Sequence, residues 1–146
     1  MKKITLLALV TVLFCSAFTT LNEPSKDILG TWKIDNSSLE SATKSIINVT
    51  RKTNPDAAQQ MEDNFPAIME MIGGIEITYK ADNTYEVVIP QQGTQTGKYE
   101  LVDNGHSLLV TPQDRAGRKD SILEISPTRL RIINRERGDT TLYVHP

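Results

Sequence analysis

The chain has 146 residues, 38% of them hydrophobic and 23% charged with both signs mixed. That is enough apolar material for one packed core and too little length for two ordinary domains. A formal net charge of −2 excludes the strongly basic profile of a nucleic-acid binder, and the mixed charges exclude a disordered tail.

Residues 1–20 read as a secretory signal peptide. Lys2 and Lys3 form a positive start, Ile4 to Phe14 an apolar run, and Cys15 and Ala17 an A-x-A-like site that predicts cleavage after Ala17, with Thr19 or Thr20 as alternatives. The alternative is a membrane anchor, but the apolar run is well short of the roughly 20 residues that span a bilayer. Cys15 is the only cysteine. It opens a second route, lipidation to an outer-membrane lipoprotein, although the bulky Phe14 before it fits a lipobox poorly; only then would a membrane be a partner. The expected location is periplasmic or secreted. Loss of Lys2 and Lys3 would leave 14 basic against 18 acidic residues, a net −4.

The domain is expected over residues 21–146. A polar lead-in with Pro24 precedes a first strand at Gly30 to Ile34, with Trp32 and Ile34 on one face. From Asn36 to Gly74 the apolar spacing turns helical. Leu39, Ala42, Ile46 and Val49 follow an N-cap at Ser37 or Ser38. Asn54 then caps a second helix with Pro55 at its first position and a stripe of Ala58, Met61, Phe65, Ile68 and Ile72, kinked or restarted at Pro66 and ended by Gly73-Gly74.

From Ile75 to the end the pattern is one of short alternating runs between turns, a meander. Ile75, Ile77 and Tyr79 lead to a turn at Asp82-Asn83. Tyr85, Val87 and Ile89 end at Pro90 and a loop through Gly93. Gly97 to Val102, Ser107 to Thr111, Asp120 to Ile125, Arg129 to Ile133 and Thr141 to Val144 follow, with Asn104-Gly105 a strong tight-turn signal. In the Asp120 to Ile125 run either face could be the inner one, because Ile122 adjoins Leu123. The late basic residues (Arg115, Arg118, Lys119, Arg129, Arg131, Arg135 and Arg137) alternate with Asp114, Asp120, Glu124, Glu136 and Asp139, and read as solvated strand faces. The predicted fold is mainly β: one antiparallel up-and-down barrel of about eight strands, closed to remove sheet edges, with a two-helix insertion between strands 1 and 2.

Gly30-Thr31-Trp32 on the first strand, the Ala81 to Tyr85 hairpin, Gly97-Lys98-Tyr99 and Leu108-Leu109-Val110 together resemble lipocalin-like small secreted proteins of the Bacteroidetes type, over nearly all of the chain beyond the signal. The resemblance implies a late-strand arginine packed over the tryptophan. The last strand has none, which leaves Arg131 or Arg135 for that place by cation–π contact.

No catalytic or metal-ligating set stands out, and no cofactor is implied. His106 and His145 are the only histidines and lie beside a turn and the C-terminus. Glu76, Glu86, Glu100 and Glu124 fall opposite the apolar face. Two functions from different classes remain. In one, the barrel holds a small apolar or amphipathic ligand, with Trp32, Met61, Phe65, Met69, Tyr79, Tyr85 and Tyr99 as candidate lining residues. In the other, the barrel is filled by its own side chains and the protein binds or inhibits an envelope protein through its helices or the Gln91 to Thr96 loop. An enzyme is not expected.

Overall fold

Alternation sends successive side chains of a strand to opposite faces, so a chain of alternating segments can bury one face by curling shut. In a computed structural model describing residues 26–146, eight strands do this in chain order. The signal peptide read from residues 1–20, with Cys15, lies outside the described residues. The strands are β1 (Gly30–Ile34), β2 (Glu76–Tyr79), β3 (Thr84–Ile89), β4 (Gly93–Val102), β5 (Ser107–Pro112), β6 (Arg118–Ile125), β7 (Arg129–Asn134) and β8 (Asp139–Val144). Each pairs antiparallel with the next, and β1 closes on β8 through Lys33 opposite Val144 and Ile34 opposite Tyr143.

Three helices, not two, connect β1 to β2: α1 (Asn36–Thr53), α2 (Pro55–Asp63) and α3 (Phe65–Gly73). The stripe from Ala58 to Ile72 runs through two of them, because Pro66 lacks the N–H that would continue the ladder and so begins a new helix. Asp35 is the N-cap of α1, its carboxylate accepting the Ser37 N–H at 2.9 Å. Ser38, offered as a cap by the sequence, instead accepts the Leu142 N–H at 3.1 Å and ties α1 to β8. At the next junction the Asn54 side chain accepts the Ala57 N–H at 3.0 Å, and an Arg51–Glu62 ion pair joins α1 to α2.

The up-and-down order puts the helices and the β3–β4, β5–β6 and β7–β8 loops at one end of the barrel, and the short β2–β3, β4–β5 and β6–β7 turns at the other. The end with the short turns is packed solid around Ile28, Trp32, Leu101, Leu108 and Leu130, all buried. The Trp32 indole N–H donates to the Ile28 carbonyl at 2.8 Å. Its ring is covered by His145, stacked with centroids 4.0 Å apart, and neither Arg131 nor Arg135 takes the expected place. Arg131 pairs outward with Glu124, and Arg135 is held on Ser121. Gly30, the glycine of G-x-W, has φ +116°, and a Cβ there would meet the His145 ring at 3.1 Å. The positive φ is what calls for glycine, and the close approach of the His145 ring adds to it.

The ambiguity in β6 is resolved by a bulge. Register shifts between Ile122 and Glu124, leaving Leu123 outside at 55% exposure while Ile122 packs inward and Ile125 returns to the core side. The Gln91 to Thr96 loop is in large part a strand: Gly93 to Thr96 pair with Glu86 to Ile89, and the connection shortens to residues 90–92.

Candidate functional site

The inward positions change character along the barrel axis. Beneath the helices the packing opens into a cavity of about 190 Å³. Ile46 of α1, Ile72 of α3 and Ile75 roof it, and Ile34, Ile77, Val87, Ile89 and Val110 form apolar walls. Tyr79, Tyr85 and Tyr143 contribute aromatic surface, and Gln95, Arg115, Arg118 and Arg137 supply the polar side, toward the β5–β6 and β7–β8 loops.

Lys119, Arg129 and Arg135 lie on the solvated face that the sequence suggested, and Arg115 and Arg118 are exposed as well, but Arg115, Arg118 and Arg137 also line the cavity. Arg118 is an inward position of β6, and its Nε donates to Asp120 at 3.0 Å. Asp120 is 3% exposed, and its other oxygen accepts the Arg135 N–H at 3.3 Å. Arg137 donates twice to Asp139, at 2.9 and 3.4 Å, while Thr141 donates to the same carboxylate at 3.0 Å and Asn134 accepts the Arg137 N–H at 2.9 Å. Each buried carboxylate thereby holds its guanidinium in place. A void of about 20 Å³ beside Asp120, Asn134 and Thr141 has room for about one water. Arg115, on the loop between β5 and β6, has no carboxylate partner among the described residues and lines the cavity.

The tyrosines are tuned by burial. Removal from water pushes the hydroxyls of Tyr79, Tyr85 and Tyr143 above their ordinary range, so at neutral pH each is an O–H donor. Tyr79 and Tyr99 meet edge to face at 4.8 Å, a favourable aromatic geometry. Gly97 lies opposite Tyr85 in the β3–β4 register. A Cβ at Gly97 would come within 2.6 Å of the Tyr85 ring and 2.5 Å of the Thr111 carbonyl oxygen, so the glycine lets Tyr85 lie flat against β4.

Of the residues offered from sequence, the structure brings Tyr79 and Tyr85 to the cavity. Trp32 belongs to the packed end. Tyr99 is buried against Tyr79, its hydroxyl donating to the Lys80 carbonyl at 2.8 Å. Phe65 lines a surface depression of about 400 Å³ between α1 and α2, with Ile47 and Glu62; Met61 and Met69 are half-buried on α2 and α3 and line no part of the cavity. Sequence reasoning missed Tyr143, Arg115, Arg118 and Arg137. The signal that could have found the first and third is parity: Tyr143 shares a face with Thr141, and Arg118 with Asp120 and Ile122.

Two larger depressions, each about 520 Å³, lie over β3 to β5, where Lys98 and Thr111 border both. Their rims are mostly exposed polar side chains such as Asp82, Asn83, Glu100 and Gln113. The smaller lumen is the better candidate, because apolar walls and convergent donors meet there.

No protein-family model matches the chain, and no curated protein matches it. Two solved structures are similar. A lipocalin-like protein from Bacteroides uniformis is 9% identical with a TM-score of 0.49, over 82% of this chain and 99% of the other. A DUF4847 family protein from Bacteroides vulgatus is 16% identical with a TM-score of 0.52, over 83% of this chain and 95% of the other. Likeness at this identity concerns the fold alone, and it agrees with the closed up-and-down barrel that the strand order gives.

Proposed function

We propose that the protein is exported and binds a small amphipathic molecule in the helix-capped half of its barrel, without catalysing a reaction. One observation carries this reading: the barrel is packed solid at one end and opens at the other into a cavity of about 190 Å³ with an apolar and a cationic side. Ligand pockets are commonly about 300–1,000 Å³, so the occupant is short, or extends past the rim.

The protein-partner reading has less behind it. The large exposed hydrophobics among the described residues are Val88 and Leu123. They sit on β3 and β6, strands that are not neighbours, so they form no contiguous patch of the kind that marks an interface. Catalysis has little to stand on, since His145 is committed to Trp32 and the Thr31 carbonyl at the packed end. Export rests on residues 1–20, with lipidation at Cys15 as its variant.

Native mass spectrometry of the protein recovered after expression of the full chain tests the proposal. The expected result is an N-terminus shortened by the signal peptide and one small molecule per chain, either retained from the host or taken up from added short amphiphiles. A bare mass with no uptake of any of them overturns the binding reading.

A further inference from the structure

The cavity is two-sided, and its cationic side lies toward solvent while its apolar side lies under the helices. We propose that Arg115, Arg118 and Arg137 form a head-group site for a singly charged anion, a carboxylate, whose short apolar tail lies under Ile46, Ile72 and Ile75. This rests on the binding reading above and adds the chemical class of the ligand.

Charge decides the class. Among the cavity-lining ions and their direct partners, three guanidiniums (Arg115, Arg118 and Arg137) face two buried carboxylates (Asp120 and Asp139), which leaves one positive charge for a ligand to meet. A monoanion balances it, whereas a dianion such as a phosphate monoester leaves an excess negative charge beside Asp120 and Asp139. Asp114 and Glu136, on the same loops, are exposed, as Arg115 and Arg118 are, but unlike the arginines they line no part of the cavity.

Geometry fixes the orientation. Arg118 uses its Nε on Asp120, which leaves its terminal nitrogens to donate elsewhere, and Arg137 turns one edge to Asp139 with the opposite nitrogen remaining. Arg115 has no carboxylate to hold it. Planar guanidinium forks suit the two oxygens of a carboxylate. Tyr79, Tyr85 and Tyr143, which line the cavity, make no hydrogen bond to the protein through their hydroxyls among the described residues, whereas the Tyr99 hydroxyl is spent on Lys80. They offer further neutral donors near the arginines. The apolar roof would force a charged head to shed water for nothing in return, so the tail enters first and the head stops at the rim.

Titration calorimetry of the recovered protein with octanoate and with octanol, chains of equal length that differ in the head, tests this. Octanoate is expected to bind about tenfold more tightly at low salt, the preference shrinking as salt is added. Arg115→Gln should weaken octanoate about fivefold and leave octanol unchanged. Arg118→Gln alone strands Asp120 without its cation and endangers the fold, so it is made together with Asp120→Asn; this pair should remove most of the preference for octanoate while octanol still binds. Equal binding of octanoate and octanol overturns the head-group site and leaves the pocket standing. Binding of neither overturns both. Octyl phosphate binding more tightly than octanoate overturns the assignment to a monoanion.

Discussion

Each of the four tyrosines of the chain is held in or beside the barrel interior, and burial raises the hydroxyl of every one, that of Tyr99 to about 12. A raised hydroxyl means that the folded chain holds the proton more tightly than the unfolded chain, whose tyrosines ionise near 10.0. The stabilisation is therefore present in full below pH 10 and is lost as pH rises through the folded values. An alkaline titration followed by tyrosinate absorbance should show no step near pH 10 while the fold persists, with ionisation arriving together with unfolding above it. A step near pH 10 in the still-folded protein would mean that at least one of these rings is wetter than its place in the barrel implies. The arginines make the complementary point. Arg118 and Arg137 reach the cavity because Asp120 and Asp139 are themselves inward and buried, and a reading that equates inward with apolar passes over all four.

That same equation explains which elements were legible. β1, β3 and β5 were readable nearly to the residue because their inward positions are Trp32 and Ile34, Tyr85, Val87 and Ile89, and Leu108 and Val110. β4 begins four residues earlier than its alternation suggests, since Gly93 to Thr96 carry no apolar face and sit at the rim. β8 likewise begins with Asp139 and Thr141 inward, buried but polar, and β6 with Arg118. The missing strand ends are the ones that build the cationic side of the cavity, so the unread part of the fold and the unread part of the site have one cause. Among the helices, spacing gave the stripe and Pro66 the kink or restart, and the restart is complete, so that a third helix begins there. The roof is attached by local devices, the Asn54 cap, the Arg51–Glu62 pair and the Ser38 bond to β8. Asn54→Ala is expected to cost about 1 kcal/mol of stability, measured by urea unfolding, and to speed amide exchange in α2 ahead of the strands. Equal acceleration in the strands would mean that the helices and the barrel unfold as one unit.

On the scale of the whole molecule, one barrel is divided between two tasks. The end carrying the short turns is packed around Ile28, Trp32, Leu108 and Leu130, all buried, with His145 stacked on the tryptophan. The end under the helices is left partly empty, with its charges paired to buried acids instead of being replaced by hydrophobic side chains, which is an arrangement that packing alone does not require. The first half holds the packed core, and the second is the half in which we propose that the ligand binds. The most direct measurement is methyl NMR of the labelled protein titrated with octanoate. Shifts are expected at Ile46, Ile72, Val87 and Val110, with Leu108 and Leu130 unmoved. Shifts confined to outward methyls such as Leu123 and Val88, or none at all, would contradict a ligand in the lumen.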